Sequence, residues 1–467
     1  MNRACLFWLP ILLLTGIVPA VLADGTSTPL TLDQAVAEAL RANLTLQDAS
    51  LKLGVKERDK NLALNKFWPT VTVGAALVSL NDTYTYTQMQ AYNPLTYKNL
   101  YYTPNATSLF LQLNGQFVFS WAMVEAIRQT GIDYDNSKIS YQMAAQRLER
   151  DVRKLFFQLL VVQEAIAVTE HQLAAAEERY QQALTNQKAG QSARLTVLQS
   201  KVAWENKKPG LEDLRVNYRQ LLFGLEALLG RDPDPTLVLQ GSLDVIPPPA
   251  NLDAEAAVAR FLDRRYDVQA AQGQLRAAQG ALAIQWAQML PTVGIQYAAD
   301  PYINDPLSRS ADYFLASDHW HQKNGAWTVF LNWKLDGLVP WSPSDNQRAD
   351  TADLGLQAGV GIQGARLTAR NEVMTLYTKI HKSSLALISL RDNVDSAFEA
   401  YKLTDEAYKA GVRSLLEVQD SEVQYQFAQV ALLNEKQLLN ASILDLETAL
   451  NTPRSEIFAL TKPQGDQ

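Results

Sequence analysis

Cysteine is almost absent from this chain. The only one in 467 residues is Cys5, inside a stretch read below as a removable leader, so disulfides and thiol chemistry are excluded from the rest. An excess of positive charge is missing too. Lys and Arg number 42 against 49 Asp and Glu, for a net charge of -7. That argues against a general nucleic-acid binder, which carries a basic patch or stripe. Beyond the first two dozen residues no apolar run approaches the ~18 residues of a membrane-crossing helix. There is no G-x-S-x-G, no H-E-x-x-H and no cysteine nucleophile, so no catalytic set is expected.

Histidine is scarce, at four residues. His319-Trp320-His321 beside Asp318 offers metal-binding side chains, but no third distant ligand stands at a recognised spacing, and a surface loop is the better reading. His171 and His381 fall outside the apolar seams of long helices and read as solvated. GVGIQG at 359–364 fits G-x-G-x-x-G, yet helical sequence precedes it where a dinucleotide site needs a strand. It reads as small residues on a packed helix face, and no cofactor or metal is expected.

What the sequence does contain begins with MNRACLFWLPILLLTGIVPAVLADG. Arg3, the apolar Leu6–Leu14 run and the small-residue end predict a signal peptide over 1–23, cut after Ala23. Asp24 follows, where a lipoprotein would need cysteine.

The chain then repeats itself. Gln47, Pro69, Thr70 and Val71 recur as Gln269, Pro291, Thr292 and Val293, 222 residues on. Val152, Tyr180, Gly190, Leu195, Val197, Ser200 and Glu226 recur as Val373, Tyr401, Gly411, Leu416, Val418, Ser421 and Glu447, 221 residues on. The period is far too long for a solenoid, so a whole unit is duplicated. The predicted division is a first repeat over 24–230, a Pro-rich linker over 231–251, a second repeat over 252–453 and a tail over 454–467.

Each repeat reads in the same order. An amphipathic helix (31–67, 252–289) stops at Pro69 or Pro291, and a strand follows. In the first repeat that strand covers 70–80, with Val71, Val73, Ala75 and Leu77 on one face. Polar, aromatic-rich loops come next (81–107, 298–325). The strand at 109–121 puts Leu109, Leu111, Leu113, Phe117, Phe119 and Trp121 on one face, with Gln112, Asn114, Gln116 and Ser120 between them. Its partner, 327–336, does the same with Trp327, Val329, Leu331, Trp333 and Leu335. Such alternation marks a strand with one apolar face, and the ~10-residue length with aromatic ends fits an outer-membrane barrel as well as a soluble sandwich.

Long helices follow. Leu148, Val152, Leu155, Leu159, Val162, Ile166, Leu173, Ala176 and Tyr180 keep a heptad spacing that the second repeat copies from Ala369 to Tyr401. This predicts coiled-coil packing and a helix over about 134–188. An Ala-Gly turn reverses each helix into a hairpin, with Gly190 and Gly411 in the left-handed conformation that glycine tolerates. Pro209 predicts a kink in the first returning helix alone. The fold class is therefore mainly α with a transmembrane β-barrel portion. Four strands cannot close a barrel, and open edges in lipid are costly, so the chain must associate.

These features resemble the outer-membrane efflux protein family, the TolC-like channels. The resemblance covers the chain after the leader. It rests on LTLDQAVAEAL (30–40), FWPTV (67–71) with its twin MLPTV (289–293), the duplication and the two tips. It implies a homotrimer with a shared barrel in outer-membrane lipid and a helical tunnel in the periplasm. A periplasmic adaptor and an inner-membrane transporter dock at the tips, no chemistry occurs in the duct, and no nucleic acid is involved. By the same resemblance, Tyr408 and Arg413 bond between helices to hold the mouth shut. Glu417 and Asp420 form acidic rings, against which stands the plainer reading of carboxylates favoured at a helix start. Thr196 stands where the family often supplies an acid to the Arg. Docking would use Ala189, Gly190, Gln191 and Ser192, with Ala410, Gly411, Val412, Arg413, Ser414 and Leu415. The competing reading is a periplasmic coiled-coil scaffold without a pore, which leaves the alternating strands unexplained.

Overall fold

A computed structural model describes residues 29–461, apart from 80–83, 91–92, 103–106, 235–236, 244–247, 250–251, 305 and 309. The expected leader, 1–23, lies outside the described residues.

The first repeat opens on a short strand, β1 (Leu30–Thr31), and helix α1 (Leu32–Ala42). A capping box starts α1: the Thr31 hydroxyl accepts from the Gln34 backbone, and the Gln34 side chain accepts from the Thr31 N–H. The single helix expected over 31–67 is broken at Asn43. That residue takes an extended conformation and accepts from Leu46 N at 3.0 Å, capping a second helix, α2 (Leu44–Asn61). A buried asparagine that caps α2 and also donates to the Leu228 carbonyl stabilises the break. A 3-10 turn, Ala63–Phe67, leads to β2 (Thr70–Ser79).

The loop expected over 81–107 instead holds an antiparallel pair, β3 (Tyr84–Gln90) and β4 (Asn93–Tyr102). Its Tyr and Thr residues favour strands, a signal that its polarity masks. Next comes β5 (Thr107–Phe119). Trp121, expected to close this strand, starts a helix because Ser120 caps it, accepting from Met123 N. The helix α3 (Trp121–Lys188) runs 68 residues, roughly 100 Å at 1.5 Å per residue. It starts well before the expected position 134. The returning helix α4 (Arg194–Leu229) carries Pro209 inside one continuous span.

Strand β6 (Leu239–Gln240) in the linker pairs in parallel with β1. The second repeat then copies the first. The helix expected over 252–289 is also broken, at Arg265, between α5 (Ala254–Phe261) with its 3-10 end and α6 (Tyr266–Gln288). Arg265 is buried and pairs with Asp267 at 2.7 Å and Glu372 at 2.6 Å. Then come β7 (Thr292–Ala299), β8 (Tyr302–Asn304), α7 (Ala311–Leu315) and β9 (Ala326–Asn332). So the expected loop 298–325 also contains regular structure. The strand expected to reach 336 stops at Asn332. The Trp333 indole donates to the Met289 carbonyl at 2.9 Å, and Asp336–Leu338 coil into a 3-10 turn. Helix α8 (Pro343–Lys409) begins with Pro343 behind the Ser342 cap. It is followed by α9 (Leu415–Leu450) and α10 (Arg454–Phe458).

Strands β2, β5, β7 and β9 form an antiparallel ribbon in that order, with β8 added on β5. Its register joins Val73 to Leu113, Phe117 to Ile295 and Ile295 to Val329. Opposed residues share a face, so the apolar positions of all four strands form one surface. The other face carries Thr72, Asn114, Gln116, Gln296 and Thr328. The apolar face is bare: Val73 is 79% exposed, Val329 72% and Trp327 74%.

Two cores lie at the hairpin bases, one per repeat. In the first, Val152, Phe156 and Leu159 meet Leu225 and Leu229, with Ala35 and Ala39 of α1 against them. In the second, Val373 and Ile380 meet Leu446 and Leu450, with Ala257 and Phe261 of α5. Each hairpin base is thus closed by its own repeat's N-terminal helix.

Candidate channel-mouth site at the hairpin tips

Both tips use the same backbone device. At the first, α3 ends at Lys188, and Gly190 turns left-handed with φ 74°. Gly190 N donates to the Gln187 carbonyl at 2.9 Å and Gln191 N to that of Asn186 at 2.8 Å. At the second, Gly411 has φ 76°, with Gly411 N on Tyr408 O and Val412 N on Ala407 O, each at 2.9 Å. These paired bonds satisfy carbonyls that a helix end would otherwise strand. Ala189, Gly190, Gln191, Ala410, Gly411, Val412 and Ser414 are exposed, Ser192 is half-buried and Leu415 is buried.

The two tips differ in how the chain resumes. No side chain caps α4, whose start is Ala193. Helix α9 has a full capping box, in which the Ser414 N–H donates to Glu417 Oε2 at 2.8 Å while Glu417 N donates to Ser414 Oγ. Arg413 Nη1 donates to Glu417 Oε1 at 2.6 Å. The Ser414 N–H first, and Arg413 next, hold the Glu417 carboxyl below the usual glutamate range. Arg413 therefore spends its charge within its own turn. Among the described residues no hydrogen bond joins it to the half-buried Tyr408 or to Thr196. Thr196 is half-buried in the first turn of α4, where its carbonyl accepts from Ser200 Oγ at 2.9 Å. Asp420 is exposed on the following turn of α9.

Deeper between the hairpins lies a charged cluster absent from the sequence reading. Arg179 of α3 donates to Glu422 Oε2 at 2.5 Å and to the Tyr401 hydroxyl at 3.1 Å. Lys207 of α4 stands 3.2 Å from Glu422 Oε1. Glu422 is only 4% exposed. Burial works to lower the Arg179 pKa, but its bonds to Glu422 and Tyr401 outweigh this and hold it raised. A signal for this cluster existed. Leu415, Val418 and Glu422 fall at 3-4 spacing on the seam of α9, so a carboxylate sits where the pattern wants an apolar side chain.

A ribbon of four strands, apolar on one face and continued by paired helical hairpins, defines a TolC-like channel protein. The chain belongs to the outer membrane efflux protein family, whose model matches residues 35–231 and 257–452. In sequence it is 23% identical over 327 residues to Nodulation protein T of Rhizobium leguminosarum bv. viciae, an alignment covering 68% of this chain and 63% of that protein. In structure it is similar to the outer membrane protein VceC of Vibrio cholerae, with TM-score 0.68 at 17% identity, covering 90% of this chain and 96% of that one. The CmeC outer membrane channel of Campylobacter jejuni gives TM-score 0.70 at 16% identity, covering 90% and 85%. The open state of the MtrE outer membrane channel of Neisseria gonorrhoeae gives 0.68 at 19%, covering 90% and 89%. Among the described residues no helix is long and apolar enough to cross a membrane.

Proposed function

We propose that the chain is one protomer of a trimeric exit duct in the outer membrane of a Gram-negative cell, reaching down into the periplasm. The observation that carries this reading is the open, one-faced ribbon. Within the described residues its outer strands, β2 and β9, each pair on one side only. An open strand edge in hydrocarbon costs several kcal/mol per unpaired group. Three copies would supply twelve strands, edge to edge, with Val73, Val329 and Trp327 against lipid and Asn114, Gln296 and Thr328 toward a wet lumen.

The helical part needs neighbours as well. Helices α3 and α8 are nearly equal in length, but eleven residues of α3 are buried in the single chain and only six of α8. Leu356, Val360 and Ile388 of α8 remain 64–70% exposed, and copies of the chain would cover them. In this reading the signal peptide over 1–23 sends the chain across the inner membrane, and the boundaries at 230, 252 and 453 separate the repeats. The tips meet a periplasmic adaptor and, through it, an inner-membrane transporter. Ala189, Gly190, Gln191, Ser192, Ala410, Gly411, Val412 and Ser414 form the docking surface, and the buried Leu415 supports it from beneath. Tyr408, Arg413, Thr196, Glu417 and Asp420 govern the mouth. Because Arg413 is already tied to Glu417, Asp420 is the carboxylate left to line it.

Photo-crosslinkers placed at Ser192 and Ser414 in cells test the docking surface, with mass spectrometry of the captured partner. Capture of a periplasmic adaptor is expected. A heat-sensitive trimer in the outer-membrane fraction is expected from the same cells. A soluble monomer in the periplasm would overturn the duct and favour a scaffold.

A further inference from the structure

The two repeats pass from strand to helix differently. In the first, Ser120 alone separates β5 from α3. In the second, residues 333–342 lie between β9 and α8, and they include WKLDGLVPW (333–341). Trp333, Leu335, Leu338, Val339 and Trp341 are all exposed there. Contacts from beneath pin the segment. The buried Gly337 packs against Met289, whose carbonyl accepts from the Trp333 indole at 2.9 Å. Ser344 Oγ donates to Asp336 Oδ2 at 2.5 Å. Trp341 has a φ of 57°, rare for a bulky residue, and its N–H donates to Asp345 Oδ2 at 3.2 Å in the first turn of α8. This strained backbone turns the indole outward, leaving Trp341 84% exposed. Strain of this kind gathers at working surfaces, and a contiguous exposed apolar patch marks a contact site.

We propose that residues 333–341 form a foot that rests in the periplasmic leaflet of the outer membrane, at the boundary between phospholipid headgroups and acyl chains. The foot rests on the exit-duct reading, which puts the apolar face of the ribbon in lipid. Along β9 that face carries Trp327, Val329 and Leu331, and the same alternation runs on into Trp333 and Leu335. Helix α8 continues from this end of the strand, so the foot stands where the ribbon leaves the membrane. Indole rings and lysine suit such a boundary, because an apolar body meets acyl chains while a polar tip meets headgroups. Lys334 and Asp336, both exposed, alternate with the apolar side chains. Headgroups and water solvate them there, whereas the core of a subunit interface is depleted of charge. One foot per chain, tied to the end of β9 and the start of α8, sets the depth at which the ribbon sits.

The test uses the chain with Cys5→Ser, carrying one environment-sensitive fluorophore on Val339→Cys and reconstituted in vesicles of phosphatidylethanolamine and phosphatidylglycerol. A probe on Leu338→Cys repeats the reading, so that no single substitution decides it. Phospholipids with a nitroxide near the headgroup should quench both probes about twofold more than those with a nitroxide at the chain end. A probe on Val329→Cys, within the ribbon, should show the reverse order. Adding Trp341→Ser should lower lipid quenching at Val339→Cys and raise its quenching by iodide supplied on both sides of the membrane. Suppose that the Val329 probe is quenched from the chain end, while the Val339 and Leu338 probes respond to iodide and not to lipid. That result would overturn the foot alone and leave the ribbon in the membrane. Protection of both foot probes from lipid and iodide alike would also overturn it, and would assign the segment to a contact between copies. If the Val329 probe escapes lipid quenching too, the membrane reading of the ribbon falls, and the foot with it.

Discussion

The two repeats close their hairpins by different means, and this predicts an unequal response to equivalent substitutions. Helices α4 and α9 each end in a left-handed residue, Gly230 with φ 71° and Asn451 with φ 48°. In the first repeat the chain at Ala42 presses directly on Gly230, and a Cβ added there would overlap the Ala42 carbonyl oxygen. In the second repeat the Asn451 amide instead donates to the Arg264 carbonyl at 3.3 Å. Gly230→Ala therefore meets two penalties. A non-glycine residue in the left-handed region costs about 1–2 kcal/mol, and the overlap is with backbone, which yields only if α1 shifts. A total of at least ~2 kcal/mol is expected, a factor of about 30 in the folded-to-unfolded ratio. Asn451→Gly keeps the backbone conformation and loses two partly exposed hydrogen bonds, the long one to Arg264 and one accepted from the Gln146 amide at 3.1 Å, so about 1 kcal/mol is expected. Denaturant titration followed by far-ultraviolet circular dichroism, with the slope compared between variants, measures both. Equal losses would refute the argument that backbone contact at Ala42, rather than the turn alone, fixes glycine at position 230.

Other expectations follow from single contacts. Leu225 is fully buried in the first core, and Leu225→Ala should cost about 2–5 kcal/mol in the same titration. On the ribbon, Val329→Arg should reduce insertion into the outer membrane, at about 2–4 kcal/mol near a bilayer midplane, whereas Thr328→Arg on the opposite face should be tolerated; membrane fractionation reads both. The Glu417 carboxyl is held below its ordinary value of 4.5. Its contribution to the start of α9 is thus present above that value and lost as pH falls through the lowered folded value. Hydrogen exchange at the first-turn amides of α9 should accelerate across that window relative to the start of α4, and Glu417→Gln should abolish the difference.

Much of this architecture is legible in the sequence because it rests on periodicity. Alternation at 109–119 and 326–332 is a property of single residues, and the register turns it into one apolar surface. The heptad seam from Leu148 and its copy from Ala369 likewise announce two hairpins. What escapes is decided by tertiary contact. Asn43 and Arg265 interrupt helices whose local pattern continues, and each does so through a partner distant in sequence: the Leu228 carbonyl for one, Glu372 for the other. Trp121 alternates correctly for a strand, but the Ser120 cap claims it for α3. At the tips the turn glycines are visible in sequence. The pairing of Arg413 with Glu417 is not, because an i,i+4 ion pair and a bond to another helix draw on the same two side chains.

That pairing limits what Arg413 adds to the cohesion of the two hairpins. An arginine already bonded to a carboxylate one turn away contributes little further attraction, since an exposed pair is screened and worth at most about 1 kcal/mol. The strong contact between the hairpins is the deeper one, where Lys207 and Arg179, the latter also bonded to Tyr401, flank a Glu422 that solvent barely reaches. Removing a partner from a buried pair costs about 3–5 kcal/mol. Arg179→Met should therefore loosen the second hairpin against the first far more than Arg413→Met does. The comparison is made by hydrogen exchange along α9 around Glu422, which both variants leave chemically unchanged. If Arg413→Met accelerates exchange there as strongly as Arg179→Met, the tip and not the buried cluster sets the cohesion of the two hairpins.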